Sequence, residues 1–165
     1  SLIISDVDGV LTDGSIFVGS NGTEFKQFSV EDGAGVAFAR YAALDIAFIS
    51  GRYSESTKIR ANELKIEHCF QGQLNKIEAF NKLCKIYNVS ATNIAYIGDG
   101  LIDLPVMEQV AVSFAPPNSH VLVKEAADII TVKSGGEGVL REVVENILEV
   151  KDIYQDTLNK MRERI

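Results

Sequence analysis

Asp6 and Asp8 stand two residues apart at the end of an apolar run that begins at Leu2. Because alternate residues of a strand share a face, both carboxylates can point toward one ligand beyond the strand end. Two such charges roughly 4 Å apart repel by about 4 kcal/mol at an effective dielectric constant of about 20. A shared proton or a divalent cation relieves that repulsion, and Mg²⁺ prefers carboxylate oxygens. The pair suggests phosphoryl chemistry, and a solvated pair at a strand-to-loop junction is the alternative.

The tripeptide Ser50-Gly51-Arg52 follows a second apolar run, Ile46 to Ile49. In open α/β sheets, ligands bind at the carboxyl ends of the strands. A hydroxyl and free amides at the approach to a helix can hold an anion at such a place. The tripeptide therefore predicts an anion-binding position, with a simple turn or helix cap as the alternative for Ser50.

A third polar cluster follows the apolar run Ile94 to Ile97. Asp99 lies between Gly98 and Gly100, and a carboxylate held between two glycines directly after a buried strand has little packing purpose. We therefore expect Asp99 to bind a ligand at the same edge of the sheet as the other acids. Asp103 has two interpretations, since it can join that cluster or cap the helix that follows it.

Lys76 opens a predicted helix. The positive end of the helix dipole lies at the N-terminus, so a cation in the first turn is opposed by the dipole. This placement favours a phosphate partner for Lys76 over a solvated lysine.

The composition is that of one acidic globular domain, with 165 residues, 46% hydrophobic and 24% charged residues, and a net charge of -7. This charge argues against a nucleic-acid partner, because affinity for the phosphate backbone comes largely from clustered Lys and Arg. A small phosphorylated substrate can still be held by local cations.

The two cysteines, Cys69 and Cys84, belong to no CxxC pair, and the two histidines, His68 and His120, are far apart in the sequence. No zinc site is indicated. We expect buried free thiols in a reducing compartment rather than a disulfide. With no secretory signal and no apolar run of membrane-spanning length, the sequence predicts a cytoplasmic protein without a membrane partner.

Short apolar runs alternate with longer amphipathic stretches, which is typical of an α/β protein with a mostly parallel sheet. The predicted strands are Leu2 to Val7, Ile46 to Ile49, Cys69 to Phe70, Ile94 to Ile97, Ala111 to Phe114 and Asp128 to Thr131. The predicted helices are Ala34 to Ala43, Ser54 to Leu64, Lys76 to Tyr87, Leu104 to Val110 and Gly138 to Leu148. We expect residues 1–165 to form a single domain.

One insertion, residues 15–28, interrupts this alternation and predicts a β-hairpin. Asn21 and Gly22 suit the positive φ angles of its turn, and its arms alternate apolar with polar residues. A lone hairpin is marginally stable, so the face with Phe17, Phe25 and Phe28 should pack on something, such as another subunit. The tail, residues 151–165, carries spaced apolar side chains and could be an interface helix or a frayed end.

Each signal is modest alone, but the order DxDG, Ser, Lys, GDxxxD resembles the four motifs of the haloacid dehalogenase superfamily of phosphatases. The similarity to one of its families, the phosphatases of 3-deoxy-D-manno-octulosonate 8-phosphate (KDO 8-phosphate), extends almost end to end. The stretches that carry it are DVDGVLTDG from Asp6, VEDG from Val30, ISGR from Ile49, FQGQ from Phe70, Asn75-Lys76, IAYIGDGLIDLPVME from Ile94 and GGEGVLRE from Gly135. The resemblance implies a Rossmann-like three-layer sandwich with a hairpin after the first strand and no cap domain.

The resemblance also implies a role for each matching residue. Asp6 would be the nucleophile, and Asp8 would protonate the leaving alcohol and then activate water. Ser50 and Lys76 would hold the phosphoryl oxygens. The metal ligands for Mg²⁺ would be Asp6, the backbone carbonyl of Asp8, and Asp99, with Asp103 supporting them from behind. The substrate-binding residues would be Gly9, Thr12, Gly51 and Arg52.

The chain departs from the family pattern at two positions. Members often carry a second Asp directly after Asp99, where this chain has Gly100, and this affects the metal site. Tyr53 and the residues after it diverge as well, which affects the substrate contacts.

The implied activity is a magnesium-dependent hydrolysis of KDO 8-phosphate through an aspartyl-phosphate, supplying KDO for lipopolysaccharide. The implied assembly is a homotetramer built on residues 15–28, in which neighbours cover the site. Alternatives are a phosphatase of a nonulosonate 9-phosphate (KDN or N-acylneuraminate) and a non-catalytic oligomerisation module. A receiver domain that stores a phosphoaspartate is disfavoured, because its accepting Asp follows a later strand.

Overall fold

A parallel sheet of six strands forms the middle layer of the molecule. The structure, a computed structural model, describes residues 1–163. The strands are β1 (Leu2–Ser5), β2 (Phe17–Val18), β3 (Glu24–Phe25), β4 (Asp45–Ile49), β5 (Cys69–Phe70), β6 (Ile94–Ile97), β7 (Val112–Ala115) and β8 (Ile129–Ile130). The helices are α1 (Val30–Tyr41), α2 (Glu55–Glu63), α3 (Lys76–Ile86), α4 (Leu104–Met107), α5 (Val121–Ala126), α6 (Val139–Val150) and α7 (Tyr154–Arg162). The sheet order is β5-β4-β1-β6-β7-β8, with β2 and β3 forming a separate hairpin. The predicted α/β fold is confirmed.

Helices cover both faces of the sheet, so the central strands β1 and β6 are buried along their whole length. One apolar cluster packs α1, α2, α6 and α7 against one face. A second cluster packs α3, α4 and α5 against the other. These layers confirm the three-layer sandwich, and within residues 1–163 the hairpin β2–β3 is the insertion after the first strand.

Strand β1 lies between β4 and β6, and the register of these pairs brings the predicted site residues together. Ser5, the last residue of β1, is opposite Phe48 of β4 and Ile97 of β6. The backbone N–H of Asp6 continues the ladder by donating to the carbonyl of Ile97 at 2.9 Å. Residues that follow the three strands therefore emerge at one edge of the sheet.

Helix α1 begins at Val30, four residues before the predicted start at Ala34. Ser29 caps it, because its side chain accepts a hydrogen bond from the backbone N–H of Glu31. Glycines in the first turns disfavour a helix on propensity alone. At Gly35, however, a Cβ would lie 2.6 Å from the Cα of Arg141 in α6. The close packing of α1 on α6 explains both the glycine and the extra turn.

The hairpin strands are shorter than predicted. Phe17 pairs with Phe25, and their side chains and that of Val18 stand out from the molecule, at 61%, 61% and 67% exposure. Phe28 is different, since it is partly buried against the core of the same chain. Phe28 therefore packs as expected, but on its own chain, and it does not share a face with Phe17 and Phe25 as predicted.

The tail forms helix α7, so the frayed alternative is wrong over Tyr154–Arg162. Tyr154 packs edge-on against Phe38 of α1, with ring centroids 5.2 Å apart, and Leu158 and Met161 join the same core cluster. Ile165, the last apolar residue of the predicted tail pattern, lies outside the described residues.

The structure adds three observations on the helices and cysteines. Helix α5, from Val121 to Ala126, was not predicted. Cys69 and Cys84 are free thiols, as expected, but they are half-buried rather than buried. None of the helices within residues 1–163 has the length and apolar character needed to cross a bilayer.

Candidate active site

Asp6 is the central carboxylate of the site. It follows β1 directly and is almost completely buried. Its Oδ1 accepts hydrogen bonds from the backbone N–H of Val7 at 2.7 Å and from Nζ of Lys76 at 2.9 Å. Burial raises the pKa of Asp6 well above its usual value, and repulsion from Asp103 and Asp99 adds to this, while Lys76 opposes it.

Lys76, the first residue of α3, places its ammonium between two carboxylates. Its side chain is fully buried, and Nζ lies 2.6 Å from Oδ1 of Asp103 as well as close to Asp6. Burial alone would lower the pKa of Lys76, but these two carboxylates outweigh burial and the pKa is raised. The cation at the helix start is thus paired with two carboxylates rather than solvated, and the phosphate partner stays a prediction.

Asp103 has its hydrogen-bonding capacity filled by protein groups. Its Oδ1 accepts from Lys76 and, at 2.6 Å, from the hydroxyl of Tyr96. Its Oδ2 accepts from the backbone N–H groups of Asp99 at 3.1 Å and Gly100 at 2.9 Å. A carboxylate offers about four lone-pair sites, so four donors leave none for a further ligand. Asp103 therefore fixes Lys76 and the loop at Asp99, and its side chain accepts no capping hydrogen bond from the described backbone N–H groups of α4.

Asp99 completes the acidic group. One oxygen each from Asp6, Asp99 and Asp103 lie within 4.8 Å of one another. Burial raises the pKa of Asp99 to about 6, with repulsion from Asp103 as the next cause. Gly9, at φ 89°, packs its Cα against this carboxylate, and any Cβ there would overlap Oδ2 of Asp99. Only glycine fits at this position.

Asp8 lies on the rim of the same loop, in contact with the hairpin. Nζ of Lys26 donates to Oδ1 of Asp8 at 2.6 Å, and it also reaches Oγ1 of Thr57 at 3.3 Å. The other oxygen, Oδ2, is buried and has no hydrogen-bond partner among the described residues.

Ser50 follows β4 and is fully buried. Its backbone is held on both sides, since its N–H donates to Phe70 and its carbonyl accepts from Gln73. Its hydroxyl, in contrast, has no hydrogen-bond partner in the part of the chain that the structure describes. A buried unpaired hydroxyl is unfavourable in a protein, so this oxygen is a candidate contact for a ligand. A helix-cap role is not seen, because α2 begins five residues later at Glu55.

The predicted substrate-binding residues take different places. Arg52 is half-exposed at the mouth, where its Nη2 lies 2.7 Å from Oε2 of Glu24 in the hairpin. Gly51 lies beside Ile102, whose Cδ1 would be 2.6 Å from a Cβ at this position. Thr12 is buried, and its hydroxyl accepts from the backbone N–H of Gly9 and of Gly14. In this structure the Thr12 hydroxyl therefore shapes the loop.

A second loop contacts the loop that carries Asp6 and Asp8. The side chain of Asn118 donates from Nδ2 to the carbonyl of Gly9 at 2.9 Å and accepts at Oδ1 from the backbone N–H of Gly135 at 2.7 Å. The N–H of Gly136 donates to the carbonyl of Val10 at 3.0 Å. The stretch from Gly135 thus holds the loop that carries Asp6 and Asp8.

The donor set fits a hard divalent cation. The carboxylates of Asp6 and Asp99 lie close together, and burial, followed by repulsion from Asp103, raises the pKa of both. A bound cation would relieve this repulsion, and carboxylate oxygens are the ligands that Mg²⁺ prefers. At Gly100 the chain offers no third carboxylate, and the backbone N–H of Gly100 donates to Oδ2 of Asp103 at 2.9 Å.

Sequence reasoning missed four residues of this arrangement: Lys26, Tyr96, Asn118 and Glu24. Lys26 and Glu24 could have been found from the alternation of the hairpin, because they share the face opposite to Phe25. Tyr96 carried no such signal, since a tyrosine in an apolar strand resembles any core residue. Asn118 lies in an irregular loop whose path the sequence does not predict.

The chain is similar to known proteins in both sequence and structure. The haloacid dehalogenase-like hydrolase family matches residues 45–143. The 3-deoxy-D-manno-octulosonate 8-phosphate phosphatase KdsC of Escherichia coli strain K12 is 44% identical over 147 residues, which cover 89% of this chain and 78% of that protein.

Two crystal structures agree with this match. The 3-deoxy-D-manno-octulosonate 8-phosphate phosphatase from Yersinia pestis has a TM-score of 0.91 and 42% identity, covering 93% of this chain and 83% of that one. The phosphatase of the same name from Moraxella catarrhalis, in complex with a magnesium ion, a phosphate ion and a KDO molecule, has a TM-score of 0.92 and 38% identity. That match covers 97% of this chain and 92% of the other. The chain therefore belongs to the haloacid dehalogenase-like hydrolases, as a homologue of the KDO 8-phosphate phosphatases.

Proposed function

We propose that this protein is a magnesium-dependent phosphatase that hydrolyses KDO 8-phosphate to KDO and phosphate through an aspartyl-phosphate intermediate. The observation that carries the proposal is the position of Asp6, a buried carboxylate at the end of the central strand that is held by Lys76 at 2.9 Å. Asp8 follows on the same loop with an unpartnered oxygen. The E. coli relative, 44% identical to this chain, is a KDO 8-phosphate phosphatase.

In the first half-reaction, Asp6 attacks phosphorus in line with the leaving oxygen. The bond from Asp6 to phosphorus forms as the bond from phosphorus to the sugar oxygen breaks. Asp8 gives its proton to that oxygen, so KDO leaves as an alcohol. Lys76 and the free hydroxyl of Ser50 hold the phosphoryl oxygens as their charge redistributes.

In the second half-reaction, Asp8 acts as the base. It takes a proton from water while the water oxygen attacks phosphorus, and the bond from phosphorus to Asp6 breaks. Phosphate leaves, and Asp8 is again protonated for the next turnover. The two steps balance with one water consumed.

We propose Asp6, the backbone carbonyl of Asp8, and Asp99 as the ligands of Mg²⁺. Bound Mg²⁺ supplies positive charge that offsets the carboxylates and the phosphoryl oxygens. Asp103 supports the site from behind, since its four hydrogen bonds fix Lys76 and the loop at Asp99. Arg52, Gly51 and Gly9 line the approach for the substrate, and Thr12 holds the loop.

The substrate assignment is tested by steady-state kinetics with Mg²⁺. We expect kcat/KM for KDO 8-phosphate to exceed that for KDN 9-phosphate and for N-acylneuraminate 9-phosphate. An enzyme with no preference for the eight-carbon ester would overturn the assignment in favour of a nonulosonate 9-phosphate.

Substitution of Asp6, the proposed nucleophile, distinguishes an enzyme from a non-catalytic oligomerisation module. Asp6→Asn should abolish phosphate release, because an amide cannot accept the phosphoryl group. An Asp6→Asn protein that keeps its activity would remove the proposed nucleophile. A wild-type protein that releases no phosphate from any ester tested would support the oligomerisation module instead.

We further propose a homotetramer built on the hairpin, with the sugar acid bound in sites that neighbours cover. The support is the outer face of Phe17, Val18 and Phe25, which a monomer would leave in water. Light scattering should give about four times the chain mass of 18.0 kDa. Phe25→Asp should lower that mass, whereas Val132→Asp, at another exposed apolar residue, should not. A monomeric wild-type protein would contradict this proposal.

We propose that the protein works in the cytoplasm, which its two free thiols, Cys69 and Cys84, support. Residues 1–165 are taken as one domain, since one sheet with a core on each face accounts for the described chain. The product, KDO, would supply lipopolysaccharide synthesis.

A further inference from the structure

Strand β3 and the residue after it present two charged side chains inward and one aromatic side chain outward. Phe25 stands 61% exposed, while Glu24 contacts Arg52 and Lys26 contacts Asp8. The hairpin therefore reaches the rim of the active site through Lys26. The mechanism proposed above gives this residue no role.

The ammonium of Lys26 is held in one place. Its side chain is 0% exposed, and Nζ lies 2.6 Å from Oδ1 of Asp8, 3.3 Å from Oγ1 of Thr57 and 3.9 Å from Oε1 of Glu24. A lysine is normally flexible and solvated, so complete burial with three oxygen neighbours fixes both the cation and its main partner.

The two oxygens of Asp8 are consequently unequal. Oδ1 accepts the bond from Lys26, whereas Oδ2 is buried without a partner among the described residues. A proton on Asp8 belongs on Oδ2, because Oδ1 already accepts from an ammonium. The contact with Lys26 thus occupies Oδ1 and leaves Oδ2 as the oxygen of Asp8 that is available to exchange a proton.

We propose that Lys26 is a positioning residue for proton transfer: it fixes Asp8 through Oδ1 so that Oδ2 delivers the proton to the leaving sugar oxygen. This inference rests on the proposed function, because it gives Asp8 the role of general acid. In the step, the O–H bond at Oδ2 breaks and a new O–H bond forms on the sugar oxygen as its bond to phosphorus breaks. Lys26 itself gains and loses no proton.

The dependence of kcat/KM on the leaving group distinguishes positioning of Asp8 by Lys26 from two other roles, a purely structural one and binding of the sugar carboxylate. An alkyl phosphate needs a proton on its leaving oxygen, whereas p-nitrophenyl phosphate leaves as a stable anion and does not. A purely structural lysine would affect all substrates alike. A lysine that binds the sugar carboxylate would affect only substrates that have one.

The experiment compares kcat/KM of the wild type and Lys26→Met, with Mg²⁺, on three esters: KDO 8-phosphate, a sugar phosphate without a carboxylate, and p-nitrophenyl phosphate. We expect a loss of about 10²-fold or more on both alkyl esters and less than about 3-fold on the aryl ester, since general acid catalysis contributes about 10²–10⁴-fold. Equal loss on all three esters, or loss on KDO 8-phosphate alone, would overturn the proposal. Lys82→Met, at an exposed lysine of α3, is the matched control and should behave as wild type.

A second variant, Lys26→Arg, tests whether the loss in Lys26→Met comes from the missing cation or from misfolding. Lys26→Arg keeps a cation beside Asp8, so the ratio of alkyl to aryl kcat/KM should move back toward the wild-type ratio. A Lys26→Arg ratio equal to that of Lys26→Met would count against positioning by the cation. If the wild type prefers another sugar ester, the substrate assignment fails, but the comparison of alkyl with aryl esters still tests Lys26.

Discussion

Asp32, in the first turn of α1, accepts a hydrogen bond at Oδ1 from the backbone N–H of Leu140 in the first turn of α6, at 3.0 Å. Gly138, the residue before α6, offers no side-chain cap, so the acid from another helix takes that place. Asp32 thereby ties α1 to α6, whose preceding loop holds the nucleophile loop through Gly135 and Gly136.

The first prediction concerns the pH dependence of stability. Burial raises the pKa of Asp32 from 3.8 to about 6, although the N–H groups of Leu140 and Arg141 oppose the change. The folded state then binds the proton more tightly than the unfolded chain, so this group favours folding below pH 3.8 and that contribution is lost as the pH rises to about 6. The loss is about 2–3 kcal/mol at most, because one pKa unit corresponds to about 1.4 kcal/mol.

Asp32→Asn removes this titration while keeping an acceptor for Leu140. Relative to wild type, the variant should gain about 2 kcal/mol in unfolding free energy between pH 4 and pH 7, measured by urea denaturation without Mg²⁺. A stability difference between the two proteins that stays constant over this range would show that Asp32 does not titrate there.

The second prediction concerns Gly9. Its φ of 89° and its contact with Asp99 leave no room for a Cβ, so Gly9→Ala must displace the carboxylate or the loop. We expect kcat/KM to fall by at least about 10²-fold, as a shift of about 1 Å in an active-site group can do. Gly22→Ala is the matched control, because Gly22 also has a positive φ of 80° but no atom within 4 Å of the added Cβ. Similar losses in both variants would mean that backbone strain, and not the contact with Asp99, is responsible.

The sequence predicted the sheet, and with it the site, because the apolar runs that form β1, β4 and β6 are each followed by polar residues. A parallel sheet gathers such strand ends at one edge whatever the details of the helices. Asp6, Ser50 and Asp99 were singled out in this way, whereas Lys76 was singled out as a cation at the start of a helix.

The residues that were missed depend on contacts between distant parts of the chain. Lys26 reaches Asp8 across 18 positions, and Asn118 reaches Gly9 across 109. No local pattern records such a pairing. Helix α1 was placed four residues late for the same reason, since its packing on Arg141 outweighs the low helix propensity of Gly33 and Gly35.

The third prediction concerns the buried group of Lys76, Asp6 and Asp103. Lys76→Met leaves two carboxylates without their cation, so the unfolding free energy should fall by about 3–5 kcal/mol, the usual result of breaking a buried pair. Phosphatase activity should fall by about 10²–10³-fold, since a charge-stabilising donor is lost. In Lys76→Met/Asp103→Asn one unpaired charge is removed, so part of the stability should return while activity stays low. A double variant as unstable as the single one would show that Asp103 is not the partner that Lys76 stabilises.

The fourth prediction concerns Mg²⁺ and Asp99. A ligand that binds only the folded state stabilises it, by about 2.7 kcal/mol at 100 times its Kd, which raises Tm by about 5–10 °C in a chain of this size. Asp99→Asn removes one of the two close carboxylates, so the Mg²⁺-dependent rise in Tm should largely disappear, and phosphate release with it. Without Mg²⁺, the same variant should be at least as stable as wild type, because burial and repulsion from Asp103 raise the pKa of Asp99 to about 6.

Asp156→Asn, at an exposed acid of α7, serves as the control and should keep the full Mg²⁺-dependent rise in Tm. If Asp99→Asn kept the wild-type rise in Tm, the cation would have to bind elsewhere than at Asp6 and Asp99.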